Sequence, residues 1–304
     1  MKSVSVPPWA ALLVAVSTWG CDDPLKKNEL VEEPRVLGAR IEVEGAPERA
    51  APFPGESATV RFLVAAPELE PALGYAFVAC HSAPANVGLA SCEAAPFAQN
   101  ERLEPGPGAP VMSFQLPEPG SAKARLLVKG VICPNGAPLV SDDPGRCASG
   151  DHPLPVSFEA ELASDGDANR NPSFATATLG FDGESLPEME LSADCAGSGL
   201  LEVSGKSKHR IRFEFPDSAR DPVPQENDYD PDRESLLVSH FSSGGELARA
   251  FSPIPYDRPE VSAEVEWEAP DSAGTAGVLV RFWFVIRDLR GGSDFIERAV
   301  CVVP

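Results

Sequence analysis

From Val36 to the end of the chain, apolar and polar residues alternate in short runs, with Pro and Gly punctuating the intervals. Val60-Arg61-Phe62-Leu63-Val64 and Val156-Ser157-Phe158-Glu159-Ala160-Glu161-Leu162 show the period best. Alternation of this kind places one face of a strand on a core and the other in water. There is almost no helical period, and 32 prolines exclude long helices. In the first half the pattern predicts strands at 36–44, 58–65, 75–81, 111–116, 124–133 and 154–162. Six short strands suit a two-sheet sandwich.

The polar segment Ala163-Ser-Asp-Gly-Asp-Ala-Asn-Arg-Asn-Pro172 interrupts the rhythm and predicts an interdomain linker. Strands are then expected at 173–179, 189–194, 209–215, 235–241, 261–267, 278–287 and 295–302. The last two form the clearest hairpin, around Asp288-Leu-Arg-Gly-Gly-Ser293, with Gly291 and Gly292 expected to supply the positive φ of the loop. Arg281-Phe-Trp-Phe-Val285 carries apolar groups on both faces, which predicts a central strand.

Strand count, spacing and the terminal hairpin resemble an immunoglobulin-like or fibronectin type III-like sandwich repeated twice. The resemblance implies an all-β fold of two tandem immunoglobulin-like β-sandwich domains, at 36–162 and 173–304, joined by a linker at 163–172.

Ahead of the first strand, Lys2 precedes the apolar run Ala10-Ala-Leu-Leu-Val-Ala-Val16, which is far shorter than the roughly 20 residues that span a bilayer. Thr18-Trp19-Gly20-Cys21 follows, and then Asp22-Asp23-Pro24. This layout resembles a bacterial lipoprotein signal. The resemblance implies removal of residues 1–20, acylation of Cys21 and attachment to a membrane through the lipid. Residues 21–35 then comprise the lipidated cysteine and a charged tether reaching at most about 46–50 Å. Arg233-Glu-Ser-Leu-Leu-Val-Ser239, Gly244-Gly245-Glu246-Leu247 and Arg290-Gly-Gly-Ser-Asp-Phe-Ile-Glu-Arg298 are also similar to lipoproteins of bacteria with large GC-rich genomes. That resemblance implies a lipidated cell-envelope protein facing the periplasm or the exterior, with no known activity.

The cysteines fit an oxidising compartment. Of seven, removal of Cys21 leaves Cys80, Cys92, Cys133, Cys147, Cys195 and Cys301, an even set suited to three bridges. Six cysteines permit 15 connectivities. Sequence proximity favours Cys80 with Cys92 and Cys133 with Cys147, leaving Cys195 with Cys301, while the absence of C-x-x-C argues against zinc. The net charge of −21 argues against nucleic acid and anionic lipid surfaces as partners, because phosphate backbones call for clustered Lys and Arg.

Catalytic motifs are sparse. The chain has no G-x-S-x-G elbow and no H-E-x-x-H helix, and Gly205-Lys206-Ser207 lacks the upstream glycine of a phosphate loop. His81, His152, His209 and His240 read as surface or strand residues. Two acidic runs alternate at every second position, Asp165, Asp167, Asn169 and Asn171, and Asp228, Asp230, Asp232 and Glu234. Both suit a solvated linker or loop. If calcium binds, Asp165, Asp167 and Asn169 are its expected ligands, and no other cofactor is expected. The expected function is that of a non-enzymatic envelope lipoprotein, a binding or structural module that meets a protein or glycan partner through loops 83–110 and 134–153. The alternative is an envelope hydrolase with an unrecognised site, for which His81 and His240 are the residues to substitute.

Overall fold

The fold was taken from a computed structural model that describes residues 27–67, 69–82, 90–118, 125–139, 145–150, 152–163, 169–186, 188, 195, 199–223, 232–271 and 277–304. The chain is all-β. Its strands are β1 (Arg35–Val43), β2 (Ser57–Ala65), β3 (Leu73–Ser82), β4 (Ala98–Gly106), β5 (Val111–Gln115), β6 (Arg125–Pro134), β7 (Leu154–Ala160), β8 (Thr178–Phe181), β9 (Glu184–Ser185), β10 (Glu202–Ser204), β11 (Lys208–Glu214), β12 (Leu236–Ser242), β13 (Glu246–Leu247), β14 (Phe251–Ile254), β15 (Ser262–Glu268), β16 (Val278–Arg287) and β17 (Ser293–Val303). They form four sheets, ordered β1-β2-β5, β4-β3-β6-β7, β10-β17-β16-β12-β14 and β13-β15-β11-β8-β9.

The first two sheets enclose one core. Ile41, Val60, Phe62 and Met112 project from the three-stranded sheet onto Phe77, Leu126, Val128 and Ile132 of the four-stranded one, with the Phe62 and Phe77 rings 4.9 Å apart. β3 and β6 are buried almost throughout because each is hydrogen-bonded on both edges. The other two sheets enclose a second core of Phe181, Ile211, Phe213, Val265 and Trp267 against Val238, Phe282, Phe284 and Val300.

β16 pairs with both β12 and β17 and so is central, as its two apolar faces predict. The faces differ in what they meet. Phe282, Phe284 and Ile286 enter the second core. Trp283 and Val285 point the other way and join Val31, Leu37 and Ala65 in a third cluster between the two sheet pairs. Gly38, at a register shift in β1, lies where a Cβ would come within 3.0 Å of Val285 Cγ1. Arg281 donates to Ala66 O at 2.8 Å and lies over the Trp283 ring at 4.7 Å. Arg287 donates to Leu37 O, and Arg40 pairs with Asp294 at 2.8 Å.

Several expectations need correction. β4 was not foreseen, because Ala98-Gln-Asn-Glu-Arg-Leu-Glu-Pro-Gly106 is a polar edge strand with no run of apolar residues. It occupies part of what reads as a free loop at 83–110. The strand expected at 173–179 begins instead with a 3-10 turn at Phe174–Thr176, where the Ser173 hydroxyl accepts the Ala175 N–H at 3.2 Å. The strand expected at 189–194 lies outside the described residues. In the terminal hairpin, Gly291 takes φ 112° but Gly292 does not have a positive φ, and Leu289 takes φ 66° instead. Gly292 is required for close approach, since a Cβ there would fall 2.1 Å from Asp288 Oδ2.

The end of the segment expected as a tether, 21–35, is docked at Glu29 to Val31. Val31 is buried, its N–H donates to Ser242 O at 2.8 Å, and the Ser242 N–H donates to Glu29 O at 2.9 Å. Two apolar residues, Leu30 and Val31, are enough to seat this charged stretch beside β12. The end of the segment expected as a linker is likewise docked, at Asn169 and Asn171. The Ala50 N–H donates to Asn169 O at 2.8 Å and the Asn171 N–H to Glu48 O at 2.6 Å. Cys80 with Cys92, Cys133 with Cys147, and Cys195 with Cys301 stand at disulfide distance, with Cα separations of 5.6, 5.7 and 5.3 Å.

Candidate functional site

Cys21, Asp165 and Asp167 lie outside the described residues. Asn169, the third expected calcium ligand, is not solvated. It is 3% exposed and directs its amide nitrogen at Asp288 Oδ2, 2.7 Å away, while its Oδ1 has no hydrogen-bond partner among the described residues. Asn171 is buried beside it, donating to Ile41 O at 2.7 Å and accepting the Ser293 N–H at 3.0 Å. The two asparagines therefore tie β1 to the β16–β17 loop.

This junction continues into three buried carboxylates. Asp288 Oδ1 accepts the N–H groups of Arg290 at 2.7 Å and Gly292 at 2.9 Å. Glu234, from the second acidic run, is 4% exposed rather than solvated, and pairs with Arg290 at 2.8 Å. Its other oxygen accepts the Asp221 N–H at 3.2 Å. Asp221 in turn holds Arg170 through the backbone N–H at 3.0 Å and the guanidinium at 2.8 Å. Burial, reinforced by the neighbouring Asp288 and Asp221 charges, pushes the Glu234 carboxyl up to about 7, and burial also raises Asp288. Among the described residues no three His, Cys, Asp or Glu side chains are grouped as a metal would need. Arg170 and Arg290 supply the positive charge here, and the cluster holds the junction together.

The histidines separate into two kinds. His240 is fully buried beside Phe213 and Phe284, with Nε2 3.0 Å from Ser252 Oγ, and burial drives its pKa down to about 3. His81 is tilted against the Phe97 ring at 5.2 Å with a buried Nε2 that has no hydrogen-bond partner among the described residues, and burial lowers its pKa too. Ser252, beside His240, donates its hydroxyl to Glu264 O at 2.8 Å, and Glu93 is the carboxylate whose charge reaches His81. His152 is exposed.

His209 is different. β11 turns Ile211 and Phe213 into the core, and His209 has the same parity one step nearer the sandwich end, where the core opens. Its ring lies against Phe181 at 4.8 Å and Trp267 at 5.8 Å. Nε2 is 2.5 Å from Ser207 Oγ, and Nδ1 is 2.7 Å from Asp182 Oδ2. The other Asp182 oxygen accepts the Arg210 N–H at 2.8 Å. Burial acts to raise the Asp182 carboxyl, but the Arg210 N–H and His209 outweigh it and hold the group below the usual range.

Local turns place all three. Asp182 and Gly183, with φ of 52° and 90°, make the two-residue connection between β8 and β9, the geometry that Asp-Gly favours. Ser207 closes a turn by donating its N–H to Ser204 O at 3.3 Å, and Lys206 before it is held at φ 59°. The three side chains line a cleft of about 360 Å³ with Phe181, Leu201 and Val203, and Glu184 and Glu202 also line it. Ser207 and His209 stand two apart in the sequence, Ser207 in the turn that precedes β11 and His209 on it, and the sequence does not show that Asp182 sits beside them. No protein-family model matches the chain, and no curated protein matches it.

Proposed function

We propose that this is an exported envelope lipoprotein, acylated at Cys21, whose immunoglobulin-like sandwiches act as a binding or structural module. The observation that carries this reading is the pair of disulfide-closed loops. Cys80–Cys92 and Cys133–Cys147 close segments that follow β3 and β6. Because β3 and β6 are antiparallel, the two loops leave the same sheet at opposite ends. Rigid strands carrying braced loops suit recognition, since loops positioned by a scaffold are where binding residues concentrate. Three cysteine pairs at bonding distance favour an oxidising, extracytoplasmic setting. An acidic chain of net charge −21 favours a protein or glycan partner over nucleic acid.

Two measurements test this. Mass spectrometry of the mature N-terminus is expected to find lipid on Cys21, with Cys21→Ser released from membranes; an unmodified start elsewhere would refute the anchor. Proximity labelling in native membranes is expected to give a partner set that shrinks when residues 83–89 or 140–144 are replaced by Gly-Ser, leaving the disulfides in place. A partner set indifferent to both replacements would refute recognition through the loops.

A further inference from the structure

We propose that Ser207, His209 and Asp182 form a hydrolytic site that cleaves small uncharged carboxylic esters, with Ser207 as nucleophile, His209 as general base and Asp182 as the positioning residue. This goes beyond the binding module and uses a different part of the molecule. The geometry is that of an activated nucleophile: hydroxyl, imidazole and carboxylate in one hydrogen-bonded line, 2.5 and 2.7 Å apart. A carboxylate on Nδ1 fixes the tautomer that leaves Nε2 free to take a proton. Asp182 is itself fixed by the Arg210 N–H, and the imidazole is held by Phe181 and Trp267. The Ser207 hydroxyl has two acceptors within reach, Ser204 O and Nε2. It follows Lys206, whose φ of 59° costs a non-glycine residue about 1 kcal/mol. Local strain of that kind gathers at functional sites.

The cleft selects the substrate class. Leu201, beside the buried Phe181 and Val203, gives a small apolar surface for a short acyl chain in a cleft of about 360 Å³, while Glu184 and Glu202 disfavour anionic esters. As Oγ bonds to the ester carbonyl carbon, its proton passes to Nε2. The tetrahedral adduct collapses by breaking the bond to the alcohol oxygen, which leaves with that proton. Water, deprotonated at Nε2, then attacks the acyl-serine, and its collapse returns the proton to Oγ and releases the acid.

The test uses the full chain purified in detergent with its disulfides intact. An uncharged fluorophosphonate is expected to form an adduct that peptide mapping places on Ser207, and p-nitrophenyl butyrate is expected to be hydrolysed. Ser207→Ala should abolish both at an unchanged melting temperature, and His209→Gln should slow acylation about 10²-fold or more. Asp182→Asn should slow labelling at neutral pH, with recovery as pH rises and hydroxide replaces the base, a recovery that a folding defect does not produce. Folded wild type with no adduct on Ser207, or a Ser207→Ala protein hydrolysing the ester at the wild-type rate, would overturn the proposal. Adduct mapping needs no variant, so a Ser207→Ala chain that fails to fold leaves the test standing.

Discussion

Glu234 makes stability at the junction depend on pH in a direction opposite to that of an ordinary paired carboxylate. Its pKa rises from 4.5 to about 7 on folding, because burial and the Asp288 and Asp221 charges outweigh Arg290. Between those two values the folded chain binds the proton more tightly than the unfolded chain does. Stability from this group is therefore full below about pH 4.5 and falls as pH rises to about 7. The shift corresponds to about 3 kcal/mol. His240 works against it. Its pKa falls from 6.5 to about 3, so it removes stability as pH drops through that window, and a wild-type curve alone mixes the two effects. The difference between wild type and Glu234→Gln isolates the carboxylate. Gln keeps an acceptor for the Asp221 N–H, and the Arg290 attraction that it gives up is already contained in the pKa of about 7. Urea denaturation at several values from pH 4.5 to 8.5 is the assay. The variant's stability relative to wild type is expected to rise by about 3 kcal/mol across pH 4.5 to 7 and then level off. Parallel curves for the two proteins would refute the raised pKa.

Gly245→Ala is expected to cost about 2 kcal/mol or more in chemical denaturation, because Gly245 sits at φ 78° and a Cβ there would lie 2.4 Å from both Glu268 O and Trp267 Nε1. Trp283→Ala should cost about 3–5 kcal/mol, and because Trp283 packs between the sheet pairs, calorimetry is expected to show one unfolding transition splitting into two. An unchanged single transition would indicate that the pairs are coupled elsewhere.

The sandwich strands were legible wherever burial is one-sided. β11 and β15 alternate because one face of each is wet, β1 and β2 keep the period although Leu37 and Ala65 also pack on their outer side, and the sequence bounds of all four fall within a residue or two of the structure. β4 and β14 were not legible, for different reasons. β4 is an edge strand whose side chains are mostly exposed, so no apolar residues mark it. β14 is four residues long and contains Pro253, a residue that ordinarily argues against a strand. The cysteine pairs were legible because two close pairs leave a third by elimination. The Ser207–His209–Asp182 line was only half legible. Ser207 and His209 are two apart, the first in the turn before β11 and the second on it, but the third member comes from a turn 27 positions upstream of His209, brought close by the pairing of β8 with β11.

Of the acidic runs, Asp232 is exposed as expected, while Asn169, Asn171 and Glu234 depart from the equation of polarity with exposure. Asn169, Asn171 and Glu234 are buried because each meets a complementary group: a carboxylate, backbone carbonyls, or a guanidinium. A sequence shows the polar group but not its partner, and burial becomes affordable only when the partner is present. The same reasoning accounts for Arg281 and Arg287 on the outward face of β16. Between them stand Trp283 and Val285, which need cover, and the backbone of β1 and Ala66 provides carbonyls that need donors. Arginine answers both needs, since its stem packs against apolar surface while its guanidinium reaches the carbonyls. A strand with apolar residues on both faces is therefore the expected signature of a sheet packed on both sides, and alternating Arg with Trp and Val marks the face turned away from the second core.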